Sequence, residues 1–162
     1  MWKLMTLSDT GRKAVTWSPA ATSIADIAKL ATPARISTAR STSFQKQVWQ
    51  LTAVVQSDRI ASNGEIVLEL FDTRSSTYMN AYLPNPSCLS TTTRGRAQIV
   101  AARNAFGACP APTADWQPLG ATVQLSGVGF WNPSRSTQGA LANGAELRPV
   151  TGFTVMQGCG KF

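Results

Sequence analysis

The 162-residue chain contains no histidine. That removes Ser–His and Cys–His nucleophile activation, imidazole metal ligation and histidine acid–base chemistry together. Carboxylates are scarce: eight Asp and Glu stand against 15 Lys and Arg, a formal net charge of +7. Only three cysteines occur, with no Cys-x-x-Cys pair, and three thiolates without an imidazole make a poor zinc site. No apolar run is long enough for a membrane-spanning helix. Ser126-Gly127-Val128-Gly129 lacks the third glycine and the following helix of a dinucleotide loop. Ser134 has no His or Lys beside it to activate a hydroxyl, and Pro133 disqualifies Asn132-Pro133-Ser134 as a glycosylation site. Nothing in the chain calls for a cofactor or a metal.

What is present fits one globular domain: 43% apolar residues and 14% charged ones. Residues 1–45 are rich in Ala, Ser and Thr and carry few large apolar groups, so they read as an N-terminal arm or strap. Within them, Ser23 to Leu30 has helical spacing, with Ser23 as cap, Asp26 in the first turn, Ile24, Ile27 and Leu30 on one face, and Pro33 as stop. The first residues, Met1-Trp2-Lys3-Leu4-Met5-Thr6, lack the apolar core of a signal peptide. The chain reads as a cytoplasmic product or as one already freed of its export signal.

From residue 46 the period changes. Val48–Gln56 alternates, with Trp49, Leu51, Ala53 and Val55 on one face. Ser62-Asn63-Gly64 is a turn. Glu65–Phe71 is a second strand with Ile66, Leu68 and Leu70 inward and both Glu outward, and Tyr78–Leu83 is a third. Residues 91–106 then recur at helical spacing through Ile99, Val100, Arg103 and Phe106, with Gly107 as stop. Ala121–Phe130 is a fourth strand, its Gly127 and Gly129 marking a bulge or barrel corner, and a fifth begins at Ala145 after a long loop. Three strands, a helix and two strands describe a mostly β, five-stranded, OB-fold-like Greek-key barrel over residues 46–162. A looser α+β sandwich is the alternative.

Cys88 and Cys109 bracket the helix, and a disulfide between them would pin its ends for about 3 kcal/mol. Two unrelated buried thiols are the other reading. The bridge implies an oxidising compartment. Cys159 is then free or paired with another chain.

The run Leu83-Pro84-Asn85-Pro86-Ser87-Cys88, the helix Ala101-Ala102-Arg103-Asn104-Ala105-Phe106, the strand end Ser126-Gly127-Val128-Gly129-Phe130-Trp131 and the tail from Gln138 to Val150 resemble a family of uncharacterised exported bacterial proteins. Trp2 to Asp9 is similar to the start of their mature chains. The resemblance spans nearly the whole sequence. It implies the barrel and an extracytoplasmic or extracellular origin, and it brings no activity. The departures from the family pattern are specific. Where the family carries His-Gly-Gln-Thr-Gly this chain has Arg135-Ser136-Thr137-Gln138-Gly139. Where it carries Glu-Leu-His-Pro-Val this chain has Arg148, and Phe-Asp is replaced by Trp131-Asn132. Two Arg in place of two His favour an anion, or an ion pair with Glu146.

Three functions compete. A structural or assembly protein would use the arm, with Trp2 and Trp17 as anchors, to dock on other chains or copies of itself. A binder of single-stranded nucleic acid or another polyanion would use the second and third barrel strands. There Tyr78, Tyr82 and Trp131 (with Trp49, unless it is core) would stack, and Arg59, Arg74, Arg94, Arg96, Arg135 and Arg148 would meet phosphates. A nuclease of the staphylococcal type also works without His, but it needs clustered carboxylates, and Glu65 and Glu69 are roughly 13 Å apart along one strand. The chain therefore reads as non-catalytic, acting by binding.

Overall fold

The computed structural model describes residues 1–160. Its frame is a single mixed sheet of six strands: β1 (Thr16–Ala21), β2 (Gln47–Ile60), β3 (Ile66–Asp72), β4 (Thr77–Leu83), β5 (Gln117–Trp131) and β6 (Ala145–Gln157). β2 pairs with β3, β3 with β4, β4 with β6 and β6 with β5, and β5 returns to β2, so the sheet closes into a ring. The β4–β6 pairing is parallel and the other ring pairings are antiparallel. The sequence pattern yields five strands; the sixth is β1, which comes from the arm and lies parallel along β2 outside the ring. It escaped the pattern because it has no alternation of apolar and polar residues and carries Pro19, which a sheet tolerates only on an edge strand or at a bulge.

Period-2 alternation fills the ring. Leu51, Ala53 and Val55 of β2 face Leu68 and Leu70 of β3, Met79 and Ala81 of β4, Val123 and Leu125 of β5 and Leu147 of β6. The helix α3 (Arg96–Phe106), between β4 and β5, contributes Ala102 and Phe106 to this core and packs against β6. Trp49 is only half-buried; its indole N–H donates to the Phe44 carbonyl at 3.0 Å.

The long strands bend at bulges. Gly127 faces Val150 and Gly129 faces Leu147, so β6 spends one more residue than β5 across this step. Pro149, which has no N–H to donate, sits inside it. A Cβ on Gly129 would lie 2.0 Å from the Phe44 carbonyl oxygen, because the 3-10 turn Ser43–Lys46 crosses the strand there. The corner read from the two glycines is a close backbone approach.

The arm packs on its own barrel. Leu7 and Val15 join Val48, Leu89, Ile99 and Val128 in a second buried cluster. The short helices α1 (Trp2–Met5) and α2 (Ile24–Ala28) bury Leu4, Ile24 and Ile27. Ser23 caps α2 by accepting the Asp26 N–H at 3.1 Å. Leu30 does not share the buried face; the helix ends at Ala28 and leaves it 38% exposed. Arg40, buried, forks onto the Asp9 carboxylate at 2.9 and 3.1 Å and donates to the Leu4 and Gln45 carbonyls, tying three parts of the arm together. Four of the five N–H donors of that guanidinium go to fixed acceptors, which is what makes a buried ion pair tolerable.

The disulfide joins Cys109 to Cys159, and Cys88 is an exposed free thiol. This corrects the Cys88–Cys109 pairing. Cys88 ends a 3-10 turn on the surface, with its sulfur toward the Asn63 carbonyl. Cys109 leaves α3 buried against the core, where the chain end beyond β6 arrives. The bridge therefore staples the C-terminus, across 50 residues, to the helix end. A disulfide of this kind points to a non-reducing compartment. Among the described residues no helix is long and apolar enough to cross a membrane.

Candidate functional site

The residues expected to form one ligand face are dispersed over three regions. The first is the outer face of β3, β4 and β6. Glu65, just before β3, and Glu69 do point away from the core, yet both are buried. Arg148 of β6 explains Glu65: its guanidinium donates through Nε and Nη2 to the two carboxylate oxygens. Its Nη1 also reaches Glu146 at 3.3 Å, so the ion pair expected with Glu146 is one side of a triad. The guanidinium lies 3.9 Å from the centre of the Tyr82 ring and 5.6 Å from that of Phe130. Burial pushes the Glu146 carboxyl up to about 7, against the opposing pull of Arg148 and of the Asn132 amide. Burial, helped by Glu146, also pushes the Tyr82 phenol up to about 12. One cation faces two carboxylates here in a dry site, and Asn132 and Arg148 meet on Glu146.

The loop 132–144 covers this face. Gln138 offers its carbonyl to Asn80 at 2.7 Å and its side-chain amide to the Ser57 hydroxyl at 3.3 Å, and Ser57 donates to Glu69 at 2.9 Å. Arg135 stays exposed and donates to the Asn143 carbonyl. Tyr82 is thereby closed to any stacked base. Trp131 is closed too: it is fully buried 5.0 Å from Phe44, with its indole N–H on Thr42. Tyr82 is closed because the outer face is covered, which sequence periodicity does not reveal, whereas Trp131 belongs to the main core.

The second region lies at the β3–β4 hairpin and beside it. Tyr78 is exposed with its ring 4.7 Å from Phe71, and Arg74 is exposed in the turn. Arg74 and Phe71 line a groove of about 560 Å³ together with Gln50, Thr52 and Gln124, and Tyr78 is not part of its lining. Arg59 stands apart, stacked on Trp116 at 5.5 Å.

The third region is a basic shoulder where the arm meets the start of α3. Arg94 donates to the carbonyls of Arg12 and Val15 at 2.8 and 2.7 Å and lies 4.8 Å over the Trp17 ring. Gly95 is left-handed, and a Cβ on it would strike that indole at 2.2 Å, so Trp17 and the helix start are mutually fitted. Arg94 thus brings the Arg12–Lys13 turn beside the start of α3, where Arg96 donates to the Leu89 carbonyl, and no carboxylate occupies the first turn of α3. Cations at a helix N-terminus oppose the macrodipole, a local arrangement that costs stability. Sequence reasoning found Arg94 and Arg96 but missed Arg12, Lys13 and Trp17 as their neighbours, because 80 residues of chain separate them. Among the described residues no cluster of three or more Cys, Asp or Glu could hold a metal ion; Glu65 and Glu69 go to different partners.

No protein-family model and no curated protein matches the chain. Among solved structures, the chain is similar to two of Entamoeba histolytica asparaginyl-tRNA synthetase, one in complex with asparaginyl-adenylate. Identities are 12% and 13%, over 68% and 69% of this chain, with a TM-score of 0.41 in both. The matched region spans 21% of each synthetase chain. A likeness this distant carries no argument about function.

Proposed function

We propose that this chain is a non-catalytic binding protein built on an OB-fold barrel, and that its ligand is a polyanion held on the basic shoulder. The ring path β2–β3–β4–β6–β5, with a helix after β4, supports the OB-fold reading, β1 being an added edge strand.

One observation carries the polyanion. Five of the eight carboxylates are buried (Asp9, Asp58, Glu65, Glu69 and Glu146), against two cations, Arg40 and Arg148. Among the described residues, twelve cationic side chains and three carboxylates remain at or near the surface. The described exterior therefore carries twelve cations less three carboxylates, a net +9 against the formal +7 of the whole chain. Counterion release on binding a phosphate or sulfate polymer draws on that exterior charge alone. The assembly reading loses its main ground, since the arm that would dock on a neighbour buries Leu4, Leu7 and Val15 in its own barrel.

The test is fluorescence anisotropy with an oligo-dT and with heparin at several salt concentrations. The triple variant R12A/K13A/R96A leaves Arg94 in place to hold the arm. It is expected to weaken both ligands and to flatten the logarithmic salt slope for the single strand by about 2, at about 0.7 per lost phosphate contact. Wild type that binds neither ligand at about 50 mM salt, or a variant with an unchanged slope, ends the reading.

A further inference from the structure

The covered outer face of β3, β4 and β6 plays no part in the proposed function, and its cover has a distinctive construction. Both ends of the loop are fixed. Trp131 is buried at one end. At the other, Leu141 is buried and the Asn143 side chain donates to the carbonyls of Ile27 and Leu30 at 2.9 and 3.1 Å. Between them no residue of 133–140 is buried. That span is held down by polar grips, those of Gln138 on Asn80 and Ser57 and of Thr137 on Tyr82, with Asn132 at its root on Glu146 at 3.2 Å. Gly139, at φ +81, lies so close to the face that a Cβ would meet the Glu69 side chain at 2.7 Å.

Under the span the charges do not balance. Glu146 faces Arg148 from its own strand, Glu65 from the start of β3 and Tyr82 from β4, with Asn132 from the loop. The other cations are Arg103 of α3, which donates to the carbonyl of Gly64 beside Glu65, and Arg135, which stays outside on the loop. One guanidinium neutralises one carboxylate. A second ionised carboxylate is an uncompensated charge in a dry site, and admitting water is the relief open to it.

We propose that residues 133–140 form a pH-gated lid, closed over the β3–β4–β6 face while Glu146 is neutral and released when Glu146 ionises. The direction follows from the raised carboxyl: closure favours the protonated form, so the closed state weakens as pH climbs through about 7. The lid would uncover Tyr82, Asn80 and the Arg148 triad, a face that the shoulder site does not touch.

Hydrogen exchange of the backbone amides 133–140, corrected for intrinsic rates, tests this on the intact protein. The opening equilibrium of the wild type is expected to rise about tenfold between pH 6 and pH 8.5. E146Q keeps the acceptor for Asn132 and is expected to stay protected and flat across that range. G139A is expected to prop the lid open at both pH values. Wild-type protection that is equal at the two pH values overturns the lid, as does E146Q repeating the wild-type rise. A matching rise at Val67 and Leu68 within β3 also overturns it, because the whole fold would then be loosening.

Discussion

Replacing Arg148 with Met tests whether the triad is an electrostatic unit. The substitution keeps the length and apolar bulk of the side chain. It removes both bonds to Glu65, the contact to Glu146 at 3.3 Å and the stacking on Tyr82 at 3.9 Å. Glu65 and Glu146 are then left in a site where Arg148 itself is only 8% exposed. Breaking a buried ion pair by deleting one partner costs about 3–5 kcal/mol. With a urea slope of roughly 2 kcal/mol per molar, the unfolding midpoint falls by about 2 M. The loss depends on pH in a defined sense. Glu146 has a folded-state value of about 7, above its ordinary 4.5, so its contribution favours folding at low pH and is lost as pH rises through that window. Without Arg148 the window extends upward, and the deficit of R148M is larger at pH 8 than at pH 5. Urea titration followed by tryptophan fluorescence at both pH values reads this directly. The triple variant E65Q/E146Q/R148M has no charge left to strand and recovers most of the stability. A loss below about 1 kcal/mol for R148M at pH 8, or the same loss at pH 5, refutes the argument.

The disulfide closes a 50-residue loop, worth about 4 kcal/mol on the chain-entropy account, so C159S is expected to unfold at clearly lower urea than C88S, which should match wild type. Mass measurement after alkylation of the native, unreduced protein should find one labelled thiol, at Cys88, and three after reduction. Gly129→Ala forces a Cβ against the Phe44 carbonyl and should cost about 3 kcal/mol or more, read in the same urea assay. Gly120→Ala, at φ +80 with nothing within 4 Å, should cost only the left-handed strain of about 1–2 kcal/mol. Equal losses at the two glycines would contradict the close-approach explanation.

Two kinds of information divide the account of this chain. Local chemistry settled what local chemistry can settle. The alternation of Leu51, Ala53 and Val55 and of Ile66, Leu68 and Leu70 marked the strands. Asn63-Gly64 marked a turn, and Ser23 marked a helix start that the structure caps as expected. The order of strands and helix followed from spacing alone, because side-chain period is a property of the backbone at each point. The tertiary structure decided everything that depends on which distant segments meet. It added β1, whose pairing with β2 has no signature in its own residues. It chose Cys159 over Cys88 as the partner of Cys109, since proximity in sequence says nothing about where the chain end returns. It buried Glu65, Glu69 and Tyr82 under a loop, because a period of two separates the faces of a strand but does not say whether the outer face is covered. By taking five carboxylates inside with only two cations, it left the described exterior with twelve cations against three carboxylates, the excess on which the proposed function rests.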